Sequence, residues 1–186
     1  MANISMTEIP LICHPQSDAN GVESLAVMIS HAQNGEIGII YRVAGALDTL
    51  EIAAPAAGGR VDGLWKNTCF ELFVGHSEDS SYLEYNFAPS GQWAAYQFAS
   101  YRDAMPDLET SAPSIQVKKS GDILTLSVTL RLPVAWRARK LAAGISAVVA
   151  TQRGDISYWG VAHPPGKPDF HHRDCFAVQL EARSAP

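Results

Sequence analysis

The sequence predicts an all-β protein: an antiparallel β-sandwich of jelly-roll type, built as a single domain over residues 1–186 with its core at about 10–182. Three observations lead to this prediction. Short segments alternate apolar and polar residues with the period of two that marks a half-buried strand. Turn residues separate these segments at short intervals. Only one short segment, 134–141, has a helical composition. About nine or ten short strands of this kind are typical of a sandwich.

The first predicted element is a hairpin. Leu25, Val27 and Ile29 alternate with smaller or polar neighbours, and the same period continues through Ile37–Val43. Asn34-Gly35 lies between the two runs, and this dipeptide suits the positive φ angles of a tight turn. The following residues, 48–62, are rich in Pro, Gly and Ala, so we expect a loop there with a short strand at Leu50–Ala53.

The central stretch, Leu64–Phe98, is predicted to contain three adjacent strands, of which the third, Gln92–Phe98, has a facing that the pattern does not settle. Side chains alternate between the two faces of a strand. The residues expected to point into the core are Phe70, Leu72, Val74, Leu83, Tyr85 and Phe87. Those expected on the opposite face are Trp65, Asn67, Cys69, Glu71, Tyr82, Glu84 and Asn86.

The C-terminal half continues the β pattern. Ser114–Lys118 is a predicted short strand, and Leu124–Leu132 has the most regular alternation in the chain, with one buried and one solvated face. After the helical segment we expect strands at Gly144–Thr151, from Tyr158 onward, and at Phe176–Leu180.

Composition narrows the function classes. The net charge is −5 and no cluster of Lys or Arg occurs, which argues against nucleic acid or an anionic membrane as the partner. No window approaches 18 uninterrupted apolar residues, so no membrane-spanning helix is expected. The first residues lack the basic start and apolar run of a secretory signal, and the three cysteines form no CxxC pair. We therefore expect a cytoplasmic protein with reduced thiols and no cofactor; its oligomeric state is not predicted.

The outward face of the central stretch is the first candidate site. An indole can pack against the C–H face of a sugar, while carboxylate and amide groups can bond its hydroxyls. The candidate residues there are Trp65, Asn67, Glu71, Glu84 and Asn86. The alternative interpretation is a core tryptophan beside a solvated acidic face.

A second candidate group lies near the C-terminus. Trp159 could supply a second stacking aromatic residue, with His171 or His172 as a hydroxyl partner. A metal site built from His163, Asp169 and these histidines is less consistent with the sequence, because His171 and His172 are adjacent and would point in opposite directions from an extended segment. We expect no metal.

Catalysis is the main rival hypothesis. Glu71 and Glu84 could be the acid and base of a glycosidase, which needs two carboxyl groups at a defined separation. A hydrolase or metal-dependent enzyme would use these glutamates together with the C-terminal histidines. Cross-strand glutamates also occur without catalysis, so the prediction is a protein that is not an enzyme.

Three motifs resemble a known family. They are W-x-x-x-x-x-E-x-F from Trp65 to Phe73, Y-x-E-Y-N-F-x-P-S-G from Tyr82, and P-D-F-H-H-R-D-C-F from Pro168. Their order is similar to that of DOMON-like domains, which are related to carbohydrate-binding module family 9. The resemblance implies a β-sandwich that binds sugars or, in some branches, haem.

In the sugar-binding branch two tryptophans sandwich a terminal sugar, and a glutamate bonds its hydroxyls. Trp65 and Glu71 match the first aromatic and the glutamate by spacing, and Trp159 is the candidate for the second aromatic. The haem branch needs axial Met and His ligands, and neither Met28 nor Met105 lies in a matching context. Asn67-Thr68 replaces a position that is often acidic in the family. The prediction is therefore a non-catalytic domain that binds a small saccharide or related polyol.

Overall fold

The computed structural model describes residues 8–31, 34–76, 79–103, 106–137 and 140–180. Twelve strands lie in this part of the chain. The first six are β1 Ile9–Cys13, β2 Val22–His31, β3 Glu36–Gly45, β4 Gly59–Arg60, β5 Cys69–His76 and β6 Tyr82–Phe87. The other six are β7 Gln92–Phe98, β8 Ser114–Ser120, β9 Ile123–Arg131, β10 Leu141–Ala150, β11 Ile156–Gly160 and β12 Val178–Leu180. Single 3₁₀ turns occur at Leu47–Thr49, Leu64–Lys66, Val134–Trp136 and Arg173–Cys175.

The strands form one sheet that curls on itself. Its order is β4-β7-β6-β5-β10-β11-β1-β2-β3-β9-β8, with β12 paired to the start of β10. Every pairing is antiparallel except that of β4 with β7. Strand β1 joins the two halves, because Ile9–Leu11 pair with β2 and Ile12–Cys13 pair with β11. We call β1, β2, β3, β9 and β8 the back sheet, and the remaining strands the front sheet.

The main core lies between the two sheets. Leu25, Ile39 and Leu126 of the back sheet belong to one buried cluster with residues of the front sheet such as Phe70 and Ile145. Burial of this apolar surface is the dominant stabilising term. The predicted inward set of the central stretch, Phe70, Leu72, Val74, Leu83, Tyr85 and Phe87, lies entirely in this cluster. The predicted all-β sandwich is confirmed, while the jelly-roll type stays a prediction.

Local predictions had mixed outcomes. The hairpin with its turn at Asn34-Gly35 is confirmed, and Gly35 has the positive φ, +81°, that the turn requires. The strand expected at Leu50–Ala53 is absent: Leu50 makes a single bridge to Thr151, and the short strand of this loop is β4. β1 was missed because Pro10 interrupts its apolar run.

The helix expected over 134–141 was wrong. Pro133 precedes one 3₁₀ turn, and Leu141 already begins β10, while residues 138–139 lie outside the described part. Leu141, Ala143 and Ile145 alternate into the core as part of a strand that pairs with β5 along eight residues. The long antiparallel pairing therefore overrides the local helical composition.

The outer face of the front sheet carries a second buried cluster. It contains Phe73, Tyr82, Tyr96 and Phe98 from the strands, and Phe170 and Phe176 from the segment before β12. We call residues 163–177 the C-terminal segment. This segment covers part of the outer face, and the Leu64–Lys66 turn packs against the same cluster.

Three strand glycines on the outer face allow the C-terminal segment to lie close to the sheet. A Cβ on Gly75 would contact Arg173 and Phe176, and one on Gly144 would lie 3.1 Å from the carbonyl oxygen of Cys175. A Cβ on Gly160 would lie 3.2 Å from Cε1 of Phe170. The missing side chains leave room for the backbone and rings that form one wall of the cavity described next.

Candidate functional site

A cavity of about 320 Å³ opens on the outer face of the front sheet, beside the C-terminal segment. Aromatic and carboxyl groups dominate its lining. The residues are Trp65, Glu71, Phe73, Glu84, Phe98, Arg102, Val148, Tyr158, Pro168, Phe170 and His171. A concave site with mainly apolar walls and a few convergent polar groups is the usual form of a small-molecule pocket.

Strand register places the polar groups of the floor. Ser146 of β10 lies opposite Glu71 of β5, which lies opposite Asn86 of β6. In the next row Phe73 lies opposite Glu84. The two glutamates are therefore diagonal neighbours on adjacent strands, and their side chains point to the same side of the sheet.

Glu71 is held at the floor by a neighbouring strand. The Ser146 hydroxyl donates to Oε2 of Glu71 over 2.8 Å, and only 3% of the residue is exposed. Burial, together with the nearby charge of Glu84, raises the pKa of Glu71 to about 8. The two carboxyl groups repel each other when both are ionised. The pair therefore keeps at least one proton near neutral pH.

Glu84 has one bonded and one unbonded oxygen. Asn86 Nδ2 donates to its Oε1 over 2.7 Å, while Oε2 is buried and has no hydrogen-bond partner among the described residues. Burial raises the pKa of Glu84 to about 7. A buried carboxyl oxygen without a partner is unusual and calls for a functional explanation.

His171 faces Glu84 from the C-terminal segment. Its Nε2 lies 3.8 Å from Oε2 of Glu84, and its Nδ1 lies 2.8 Å from the Tyr82 hydroxyl. Burial lowers the pKa of His171 to about 4, so the imidazole is neutral at pH 7. Phe73 and Phe98 contact the ring edge-on, each with a centroid distance of 5.2 Å.

Aromatic side chains form the walls. Trp65 is placed by the 3₁₀ turn that precedes β5, and its ring contacts Tyr96 edge-on at 6.0 Å. Tyr158 on β11 and Phe170 on the C-terminal segment pack together at 6.2 Å. These rings offer apolar surface next to the carboxyl groups of the floor.

Asp169 fixes the C-terminal segment to the loop after β7. Its Oδ1 accepts from Arg102 Nη2 at 2.9 Å and from the backbone N–H of His171 at 3.2 Å. Its Oδ2 accepts from the Tyr101 hydroxyl at 2.5 Å. This network positions both Arg102 and His171 at the cavity.

The structure brings together four of the eight residues expected at the site: Trp65, Glu71, Glu84 and His171. Asn86 lies behind the lining and orients Glu84. Asn67 is exposed and does not line the cavity. His172 points elsewhere, accepting a hydrogen bond from the backbone N–H of Asp174 at the start of a 3₁₀ turn.

Trp159 does not have the position expected of a second stacking aromatic. It is 5% exposed, belongs to the core between the sheets, and donates from Nε1 to the Ser157 hydroxyl over 2.9 Å. Its neighbour Tyr158 has the opposite facing and lines the cavity. The physical reason is strand alternation: adjacent residues cannot share a face, and here the tyrosine lies outside.

Several lining residues escaped the sequence analysis. Phe73 and Val148 follow from the parity of Glu71 and Ser146 on their strands, so the alternation rule could have identified them. Phe98 lies on β7, the strand whose facing the pattern did not settle. Arg102, Pro168 and Phe170 depend on how the C-terminal segment packs. No periodic signal reports that contact.

The alternative sites find limited support in the geometry. Among the described residues, no three His, Cys, Asp or Glu side chains are grouped as metal ligands. Met28 lies on β2 of the back sheet, away from the cavity, and Met105 lies outside the described residues.

All three cysteines are free thiols. No described helix is long and apolar enough to cross a membrane.

Solved structures that share this fold include the two described next. One is a candidate carbohydrate-binding protein from Bacteroides uniformis, with a TM-score of 0.68 and 15% identity over 96% of this chain and 87% of that one. The other is a family 9 carbohydrate-binding module from Caldicellulosiruptor kristjanssonii in complex with cellotriose. Its TM-score is 0.62, with 8% identity over 97% of this chain and 84% of that one.

These similarities establish the architecture of the chain. It has a β-sandwich fold like that of carbohydrate-binding module family 9. No protein-family profile matches the sequence, and no curated protein matches it. The DOMON-like assignment therefore stays a prediction.

Proposed function

We propose that this protein is a non-catalytic domain that binds a small saccharide or a related polyol in the outer-face cavity. The observation that carries the proposal is the pair of buried carboxyl groups, Glu71 and Glu84, beneath an aromatic wall that includes Trp65. Hydroxyl groups of a sugar donate hydrogen bonds to carboxylates, while the C–H faces of its ring pack on aromatic surface.

The expected contributions to the binding free energy agree with a recognition site. A hydrogen bond to a charged group contributes roughly 1.5–3 kcal/mol net. Aromatic packing adds on the order of 1 kcal/mol beyond its buried area. Two such bonds and one ring contact correspond to about micromolar to millimolar affinity. The cavity volume, about 320 Å³, is at the small end of ligand pockets and suits one terminal sugar group.

The structural neighbours support the same class of ligand. A domain of this fold is known in complex with cellotriose, and the second neighbour is a candidate carbohydrate-binding protein. The three sequence motifs that resemble DOMON-like domains add support for a sugar-binding branch. Neither comparison identifies the sugar for this chain.

Glycoside hydrolysis is the second candidate, and one observation favours it: the pKa values of Glu84 and Glu71, about 7 and 8, would suit acid–base chemistry near neutral pH. The geometry is less suitable. A glycosidase places its two carboxyl groups on either side of the scissile bond. Here both rise from adjacent strands of one floor, so a ring lying on that floor would meet them from the same side.

Calorimetric titration tests the proposal. Wild-type protein, Trp65→Ala and the control His172→Ala are titrated with cellotriose and with common mono- and disaccharides. We expect wild type and the control to bind the same sugar, and Trp65→Ala to bind it about 10–100-fold more weakly. Release of reducing sugar from aryl glycosides or cellotriose would instead support the hydrolase, and equal binding by Trp65→Ala would place the ligand elsewhere.

A further inference from the structure

Two polar atoms at the cavity face each other without making a hydrogen bond. Oε2 of Glu84 and Nε2 of His171 are 3.8 Å apart, beyond the usual 2.7–3.2 Å of an N–H···O bond. Both residues line the cavity, and Oε2 is buried without a partner among the described residues. The distance leaves both groups able to bond to one further atom.

Tyr82 determines which nitrogen of His171 carries the proton. The backbone N–H of Arg102 donates to the Tyr82 oxygen over 3.1 Å, and that oxygen lies 2.8 Å from Nδ1 of His171. The phenol proton finds its acceptor at Nδ1, because no other hydrogen-bond acceptor of the Tyr82 hydroxyl is present in the described structure. A neutral imidazole that accepts at Nδ1 carries its hydrogen at Nε2.

The direction of this N–H group is fixed by packing. His171 lies among Phe73, Tyr82 and Phe98, all within 5.2–5.8 Å of its ring centroid, and 16% of its side chain is exposed. The ring therefore presents a donor at Nε2 directly beside Oε2 of Glu84, and this oxygen is an acceptor when Glu84 is ionised, above its pKa of about 7.

We infer that Glu84 Oε2 and His171 Nε2 form a subsite for a single ligand hydroxyl, which accepts from His171 and donates to Glu84, and that Tyr82 is the positioning residue that sets the donor. This inference rests on the proposed function, since it specifies how the cavity recognises one hydroxyl of a saccharide.

Geometry and chemistry together define what the subsite accepts. An oxygen bonded to both atoms at ordinary lengths holds them about 4–4.5 Å apart, so the pair opens by less than ~1 Å when the ligand enters. A hydroxyl can donate and accept at once. A methyl ether or a fluorine can only accept, and an ammonium group can only donate, so each leaves one buried group without a partner.

The tautomer is tested without any ligand. Long-range ¹H–¹⁵N spectra of selectively labelled protein report which imidazole nitrogen of His171 is protonated. We expect the Nε2–H form in wild type between about pH 6 and 8, and a mixture of both forms in Tyr82→Phe. A protonated Nδ1 in wild type overturns the inference.

Binding is tested with cellotriose, D-glucose, D-galactose and D-mannose, and with the monodeoxyfluoro and mono-O-methyl derivatives of each hexose. We expect one ring position at which both derivatives lose about 10–100-fold in affinity, and the same loss in His171→Phe. His171→Gln, which keeps a donor near the Nε2 position, should bind within about threefold of wild type, and Tyr82→Phe should lose about 3–10-fold.

Different results would reject the proposed function and the subsite. If wild-type protein binds none of these saccharides, the proposed function falls and the subsite falls with it. If wild type binds a sugar and Tyr82→Phe and His171→Phe bind it equally well, the subsite alone is wrong. His172→Phe is the matched control, because His172 does not line the cavity.

Discussion

Trp65 and Trp159 carry the same side chain in opposite environments. Trp65 is partly exposed at the rim of the cavity, whereas Trp159 is buried between the sheets with its indole N–H bonded to Ser157. A buried indole contributes to folding through packing, and an exposed one at a pocket is available to a ligand. Trp159 is therefore expected to contribute mainly to stability, and Trp65 mainly to ligand binding.

Trp159→Ala should destabilise the fold by about 3–5 kcal/mol, because it leaves a large cavity in the core and removes the indole N–H that donates to the Ser157 hydroxyl. Trp65→Ala should lower stability by less than about 1 kcal/mol. Urea unfolding of both variants measures the difference. Equal destabilisation by the two substitutions would contradict the environments described for them.

The buried carboxyl groups should make stability depend on pH. The pKa of Glu71 is raised in the folded state, so the native protein holds its proton more tightly than the unfolded chain does. The contribution of Glu71 to the free energy of unfolding is complete below the ordinary carboxyl pKa and is lost as the pH rises through about 8. The protonated Glu84 stabilises the folded state in the same way, and this contribution is lost as the pH rises through about 7.

Glu71→Gln mimics the protonated carboxyl and removes this dependence. We expect the melting temperature of the variant, relative to wild type, to increase steadily from pH 5 to about pH 8.5. Glu51→Gln, at an exposed position, is the control and should show a constant difference. A constant difference for Glu71→Gln as well would show that Glu71 is not held in a buried, charge-repelling site.

At the scale of elements, β5 and β6 supply the floor and the C-terminal segment supplies one wall. The floor could be predicted from sequence: alternation on these strands assigned Glu71 and Glu84 to one face and Phe70, Leu72 and Tyr85 to the other. The same rule did not settle β11, because Tyr158 and Trp159 are both aromatic and the pattern does not say which is buried.

The wall could not be predicted, since it depends on contacts between distant parts of the chain. Phe170 and His171 lie nearly 100 residues beyond β5, and no periodicity indicates that their segment folds back over it. The glycines at 75, 144 and 160 are residues of the sheet whose identity reflects this contact, because a Cβ there would meet the C-terminal segment. Their role becomes apparent only when the segment is seen against the sheet.

Gly144→Ala tests the fit between β10 and the C-terminal segment. The added Cβ would lie 3.1 Å from the carbonyl oxygen of Cys175 and 3.4 Å from Cβ of Phe73, so the segment must shift. We expect a loss of about 1–3 kcal/mol of stability. Faster amide exchange in residues 169–176 should accompany this loss, and hydrogen-exchange mass spectrometry measures it.

Gly59→Ala is the matched control, because a Cβ there would meet no atom within 4 Å. It should leave both stability and exchange unchanged. If Gly144→Ala behaved like this control, the close approach of the C-terminal segment to the sheet would be wrong.

At the scale of the whole molecule, one hydrogen bond crosses the sandwich to the site. The hydroxyl of Tyr41, on the back sheet, donates to the backbone oxygen of Glu71 on the front sheet over 2.8 Å. Tyr41 is completely buried in the core. The back sheet thus supports the strand that carries one of the two site carboxyl groups.

Tyr41→Phe should cost about 0.5–1.5 kcal/mol of folding free energy, the net value of a typical buried hydrogen bond. Tyr85→Phe offers a contrast within the same core. The Tyr85 hydroxyl lies near Thr110 but is buried without a hydrogen bond in the described structure, so its removal should be neutral or stabilising. Chemical denaturation distinguishes them, and an identical response from both would argue against the bond.

We propose that a saccharide occupies the cavity on the outer face of the front sheet. The most direct test of this proposal is a ¹H–¹⁵N correlation titration of the labelled protein with the tightest-binding sugar. We expect shift changes at the Trp65 indole, at the amides of β5 and β6 around Glu71 and Glu84, and at residues 168–172. Shifts confined instead to the separate groove beside Asn20, Asp48 and Arg153 would contradict it, as would a spectrum that no sugar changes.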